Sequence, residues 1–435
     1  MSSPAYPSRP PGPAGISRRA LLTAGAGSAV ALAAGSGLAV LLADEEPIPQ
    51  PVLPLWSEQA YRSFGVVSHP TFQSTTYGYA DAWLDALADI DVRYFRGLYA
   101  DHLPLVQSVV EGARDRGLQW GMLVCNDLGT PPPELSRRIA DIARNAADLC
   151  LFVEGVNEPN YVRGGGTPPA DWAERAVALQ RTIFQAVRSH PQLDHVTVVG
   201  PSLQTFVATE ADYERMASLG LGDVIDAAGL HSYPSGRYPS RGLDDRLLPL
   251  QEHFPDVPVW LTETGYTNAV GRSSATGGAT PVPDEVAAAY APALLLEAVD
   301  RGLAVAWYEA LDDPDPGAKD DTESAYGLVA VGDSGAPSTW RPKPAATALA
   351  DFLAQLRDPG PAYRPRQVRL AVASPTDDVR WTALAKRDGS TWLHLRRAVD
   401  VWDTDASEPI TVEKVPVTVL TPSGRRTVRV GSTVV

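Results

Sequence analysis

Beyond residue 58 the chain alternates short apolar runs with longer stretches in which apolar residues recur every three or four positions. The apolar runs end near His69, Arg96, Asn126, Glu158, Pro201, His231, Glu263 and Trp307, eight in all. Runs of this length, bounded by polar or turn residues, predict strands, whereas the three-and-four spacing across 81–90, 171–189 and 283–300 predicts amphipathic helices. Successive strand ends lie 27 to 44 residues apart, enough for a strand, a loop and a right-handed crossover helix. Eight such units in a row predict an α/β fold, a closed (β/α)8 TIM barrel rather than an open sheet.

From Pro361 the pattern shortens to period-two alternation, with β runs at 379–385, 391–397, 410–420 and 427–435 and with Gly389 and Gly424 at turns. That predicts a small C-terminal antiparallel β-sandwich beside the barrel, read as a stabilising module in preference to a sugar-binding one. The expected division is an export signal or membrane anchor over 1–43, a Pro-rich linker over 44–58, the barrel over 59–357 and the sandwich over 358–435.

Charge changes the picture at the N-terminus. Residues 1–43 carry Arg9, Arg18 and Arg19 and no acidic residue, and 20–43 are uncharged and rich in Ala, Leu, Val and Gly. Ser17-Arg18-Arg19-Ala20-Leu21-Leu22 ahead of that stretch resembles a twin-arginine signal, the bacterial route for folded proteins. The stretch is also long enough to tether the protein in a membrane, so secreted and anchored forms are both expected. Without these residues the formal charge moves from −15 to −18, which speaks against binding nucleic acid and is compatible with a neutral carbohydrate. Cys125 falls near the end of the third strand and Cys150 near the start of the fourth, an offset too large for a disulfide, so two buried free thiols are expected. No metal-ligand spacing or Gly-rich phosphate loop stands out, so neither metal nor cofactor is expected, and a monomer is the expected state.

The chemistry is concentrated at two strand ends, Val156-Asn157-Glu158-Pro159 and Leu261-Thr262-Glu263-Thr264-Gly265. Paired carboxylates at the C-terminal mouth of a barrel fit glycosidic bond cleavage, which needs an acid for the leaving oxygen and a second carboxylate at the anomeric carbon. Glu158 and Glu263 are three repeats apart, on strands four and seven, nearly opposite each other. Glu158 is expected to be the acid/base and Glu263 the nucleophile. Asn157 could hydrogen-bond a sugar 2-hydroxyl, Arg96 could keep Glu263 ionised, and Tyr233 in His231-Ser232-Tyr233 has the reach to donate to Glu263. Trp307 is expected to stack on a pyranose ring, and His69 and Asn126, ending strands one and three, complete the supporting set. Tyr161, Trp172, Tyr266 and Tyr326 are further candidate platforms. Gly164-Gly165-Gly166 either lets the loop beyond Glu158 move or marks a surface insertion, and the acidic stretch 312–323 is read as a solvated loop in preference to a cation site or subsite.

On Asn157-Glu158-Pro159, Glu263, His231-x-Tyr233, Arg96 and Trp307, the chain resembles the retaining glycoside hydrolases of clan A, with their cellulase-like, mannanase-like and β-xylosidase-like barrels. The likeness spans roughly residues 60–357, and Glu154 resembles the acidic residue that many members carry four positions before the acid/base. The resemblance implies acid/base and nucleophile roles for Glu158 and Glu263 and a β-linked oligo- or polysaccharide as substrate. Cys125-Asn126-Asp127 stands where many cellulase-like members have a histidine, and Val156 where β-xylosidase-like members often have tryptophan. A carbohydrate-binding protein without turnover and a transglycosylase using the same intermediate are the alternatives.

Overall fold

A computed structural model describes residues 36–38, 40–41, 47–162, 166–271, 279–313 and 322–435. Eight parallel strands form the central sheet: Phe64–Val67, Tyr94–Leu98, Gln119–Cys125, Cys150–Val156, Thr197–Val199, Ala228–His231, Val259–Thr264 and Ala304–Trp307. Each pairs with the next except at the fifth and sixth, the eighth pairs with the first, and isolated parallel bridges Val199–Ala227 and Leu203–Leu230 join the fifth to the sixth. The predicted barrel is therefore present, every strand within a few residues of its expected end.

Two faces of the strands explain the apolar runs. One face, with Val66, Phe95, Trp120, Val153, Val305 and Trp307, packs under the helices in the large core. The other, with Val67, Tyr94, Phe152, Val199, Ala227 and Ala306, fills the barrel interior. Strands buried on both sides need apolar residues at consecutive positions, so the runs are continuous instead of alternating. The predicted helices appear as Ala80–Ile90, Trp172–Arg188 and Asp284–Asp300. Others start where proline occupies the first helical turn, as at Pro104 and Pro132, or at the Thr209/Asp212 capping box, all of which suit orphan N–H groups.

The C-terminal region is a two-sheet sandwich with its own core of Val52, Leu370, Val372, Val379, Trp381, Leu395, Val417 and Val430. The runs at 379–385 and 391–397 are strands as expected, while the last two lie at Val415–Thr421 and Gly424–Val430. The expected linker differs more. Gln50–Val52 and Leu55–Trp56 are strands of the sandwich, and Ser57–Arg62 is a helix. Further upstream, Ser36–Leu38 and Val40–Leu41 also join it. All four short strands lie along the open edges of Val368–Ser374 and Val379–Ala385, two of them in parallel. The sandwich is thus mixed rather than purely antiparallel. Trp381 Nε1 donates to the Leu38 carbonyl at 3.0 Å. A Cβ on Gly37 would come within 2.6 Å of the Trp381 ring, so the approach needs glycine.

Barrel and sandwich share a buried ion network. Arg396, fully buried, donates to Glu297 at 2.9 Å and Asp300 at 2.5 Å at the end of helix Asp284–Asp300, and Tyr238 and Arg301 also bond Glu297. Cys125 and Cys150 are free and buried, and burial raises both thiol pKa values. Among the described residues no helix is long and apolar enough to cross a membrane. Residues 1–35, which contain most of the expected export stretch, lie outside the described residues, as do 164–165 and 314–321.

Candidate active site

The C-terminal mouth of the barrel gathers Arg96, Glu154, Asn157, Glu158, Ser202, His231, Tyr233 and Glu263. Arg96 is the hub. Its side chain points inward from the second strand and is 2% exposed. Nε and Nη2 fork onto Glu154 at 2.5 and 3.0 Å, Nη1 donates to Glu263 Oε1 at 2.6 Å, and Nη2 also reaches Asn157 Oδ1 at 2.6 Å. A guanidinium is suited to this because its donors are fixed in a plane and it does not deprotonate. Ser202 extends the network, donating to Glu154 at 2.8 Å and meeting Thr262 at 2.7 Å.

Glu263 also accepts the Tyr233 hydroxyl on Oε2 at 2.8 Å. Burial alone would raise its pKa. The charges of His231 and Arg96, with the Tyr233 hydrogen bond, reverse that and hold it below the ordinary carboxylate value. Tyr233 keeps its proton, because burial and the neighbouring Glu263 push its pKa well up. His231, fully buried, directs Nδ1 to Glu158 Oε1 at 2.8 Å and to Glu263 Oε2 at 3.5 Å. Its Nε2 meets no partner among the described residues, while Nδ1, facing two acceptors, carries a ring hydrogen. Burial would lower the His231 pKa, but Glu263 and Glu158 outweigh it and the net shift is upward.

Glu158 stands just past the fourth strand with φ of +46°, a left-handed conformation costly for a residue with a Cβ. It is held there by its own N–H donating to the Ser202 carbonyl at 2.9 Å and by the Tyr161 N–H on its carbonyl at 3.0 Å. Gln204 Nε2 donates to its carboxylate at 3.0 Å. One side-chain oxygen of Glu158 and one of Glu263 lie within 4.8 Å of each other, with His231 inside the same span. Three such atoms could in principle ligate a cation. Here the Arg96 guanidinium already sits on Glu263, and like charge beside the site opposes a metal ion.

The remaining candidates divide. His69 bonds Glu309 at 2.9 Å through Nε2, stacks on Phe72 at 4.7 Å and meets the Tyr308 ring edge-on. Glu309 also accepts the Tyr77 hydroxyl at 2.9 Å. Asn126 is exposed on the rim, and no hydrogen bond ties it to the carboxylates. Trp307 is placed differently from expectation. It is 1% exposed and faces the helices, against Tyr266, so it cannot stack on a ligand in the mouth. The inward residue of the eighth strand end is its neighbour Tyr308, which packs with Tyr233 and Tyr326. Trp172 and Tyr266 are buried in the main core, and Tyr161 is half-buried near the rim. Asp312 pairs with Lys343 at 2.7 Å. Gln204, Ser202, Glu309 and Tyr308 were not anticipated; only the position of Tyr308 and Glu309 just beyond a predicted strand end signals them.

The barrel is similar in fold to solved structures of glycoside hydrolases. A family 39 glycoside hydrolase from the gut symbiont Bacteroides cellulosilyticus superposes with a TM-score of 0.56 at 14% identity, covering 88% of this chain and 82% of that one. A glucosidase from Croceicoccus marinus gives 0.49 at 13% identity, covering 80% and 76%. At such identities the first likeness shows the shared fold, an eight-stranded parallel barrel with additional β structure. No protein-family model and no curated protein sequence matches the chain.

Proposed function

We propose that the protein is a retaining glycoside hydrolase, exported and acting on β-linked oligo- or polysaccharide. The observation that carries this reading is that one oxygen of Glu158 and one of Glu263 lie within 4.8 Å of each other across the mouth, in keeping with the close carboxyl spacing that double displacement uses. The two groups have different neighbours. Glu263, bonded to Arg96 and Tyr233, is held ionised and attacks the anomeric carbon. Glu158, next to Gln204 and His231, gives its proton to the leaving oxygen as that bond breaks.

The product of this step is a glycosyl ester on Glu263 and a free aglycone. Glu158, now ionised, takes a proton from water, whose oxygen attacks the same carbon and releases Glu263. Both groups return to their starting protonation and the anomeric configuration is retained. Asn157, its Oδ1 fixed by Arg96, has an amide left to donate to the 2-hydroxyl.

The test is product release by the full chain from aryl β-glycosides, β-glucans, xylans and mannans, beside a Glu263→Gln control, with proton NMR of the first anomer formed. A β-anomer from the wild-type protein alone supports the reading. An α-anomer first, or equal release by the control, overturns it.

A further inference from the structure

The loop after the fifth strand carries an exposed phenylalanine held unusually firmly. Phe206 is 47% exposed and Val207 beside it 48%, an apolar pair on a surface where water would favour polar residues. The segment beneath is fixed by polar bonds. Asn160 clamps Gln204 on both backbone groups, accepting its N–H at 2.9 Å and donating to its carbonyl at 3.2 Å. The Gln204 carbonyl also accepts the N–H groups of Val207 and Ala208. Its side-chain amide is divided: Nε2 donates to Glu158 at 3.0 Å, and Oε1 accepts the Phe206 N–H at 3.2 Å.

The ring is fixed from below as well. Arg246 lies 5.6 Å from its centroid, and Nη1 of that arginine donates to Ser232 Oγ and to the Tyr233 carbonyl, both at 2.9 Å. One face of Phe206 therefore rests on a cation anchored beside the site, and the apolar edge of the loop faces solvent. One amide, that of Gln204, links the acid/base carboxylate to the backbone of the aromatic residue.

Resting on the hydrolase reading above, we infer that Phe206 is the platform for the leaving group, binding the apolar face of a ring-shaped aglycone, a second sugar in a β-linked chain. An acid/base stands on the leaving-group side of the scissile bond, and the Gln204 bridge puts Phe206 on that side. Gln204 is a positioning residue, coupling the orientation of Glu158 to the loop that holds the aglycone. Contact with a part of the substrate that does not itself react can then lower the barrier of the first step.

The experiment compares β-linked disaccharides of glucose, xylose and mannose with the corresponding β-glycosyl fluorides, which share the glycone but lose a fluoride that cannot stack. Phe206→Ala should lower kcat/KM on the disaccharide about tenfold, the order expected for a lost aromatic contact, and leave the fluoride within about twofold; Phe206→Tyr should restore the disaccharide rate. Equal losses on both substrates, or none on either, would overturn the platform. Turnover of the fluoride by wild type marks that result as a failure of this inference alone. Wild type inert on every fluoride and disaccharide would sink the hydrolase reading and the platform with it.

Discussion

Arg96 Nη1 and Glu263 Oε1 lie 2.6 Å apart, both largely out of water, and the same guanidinium forks onto Glu154. One cation therefore serves two buried carboxylates, and removing it leaves Glu154 without its forked partner and Glu263 with His231 alone. Arg96→Met should cost about 3–5 kcal/mol of stability and abolish measurable turnover. Arg96→Lys keeps the charge but lacks the fork and should fall between. Denaturant unfolding with kinetics on the same samples checks this; a Met variant as stable and active as wild type would refute it.

Glu158→Ala should lose about 10²- to 10⁴-fold on unactivated glycosides while keeping most of its first-step rate on a glycosyl fluoride. Added azide should replace water on the glycosyl enzyme and give a β-glycosyl azide, identifiable by NMR. Equal losses on fluoride and disaccharide would remove Glu158 from the acid role.

The His231 pKa is raised in the folded protein from its ordinary 6.5. Its contribution to stability is then complete below that value and disappears as pH rises through the higher, folded pKa. The Glu263 pKa is lowered, so its contribution is present above the ordinary carboxylate range and disappears as pH falls through the lower folded value. Melting temperature followed with pH should show the gap between wild type and His231→Asn narrowing above pH 6.5. A gap that stays constant from pH 5 to 9 would mean that His231 does not titrate in this way.

Arg396 joins the sandwich to the barrel through Glu297 and Asp300. Arg396→Met should destabilise the whole protein by about 3–5 kcal/mol, because Asp300 loses its cation and Glu297 keeps only Arg301, while kcat per folded molecule stays unchanged. Loss of stability in the sandwich alone, seen as a separate unfolding transition, would contradict that coupling.

The barrel was readable from sequence because strands buried on both faces leave long apolar runs that end where the site begins. The same property hid their facing. In Ala304-Val305-Ala306-Trp307-Tyr308 every side chain is apolar or aromatic, so nothing in the run tells that Val305 and Trp307 look out to the helices while Ala306 and Tyr308 look in. Arg96, Asn157, Glu158, His231, Tyr233 and Glu263 could be singled out because charged and polar groups at strand ends stand out against such runs. Gln204 gave no signal: its contact with Glu158 spans 46 residues and exists only because the ring closes between the fourth, fifth and sixth strands. The N-terminal strands of two or three residues are too short for any periodicity and contain Pro51, which reads as linker but is tolerated on an edge.

Those N-terminal strands set an order of folding. The bond between Trp381 and Leu38 joins residues 343 apart in sequence, so the sandwich is among the most non-local parts of the molecule and costs the most loop closure to assemble. The barrel between can form while synthesis proceeds, but the edges of Val368–Ser374 and Val379–Ala385 are covered only when the two ends of the chain meet. Until then they are bare strand edges able to pair with another chain. Aggregation during refolding should therefore follow the N-terminal strands, and a chain shortened past Val52 should associate through its sandwich even though its barrel is whole.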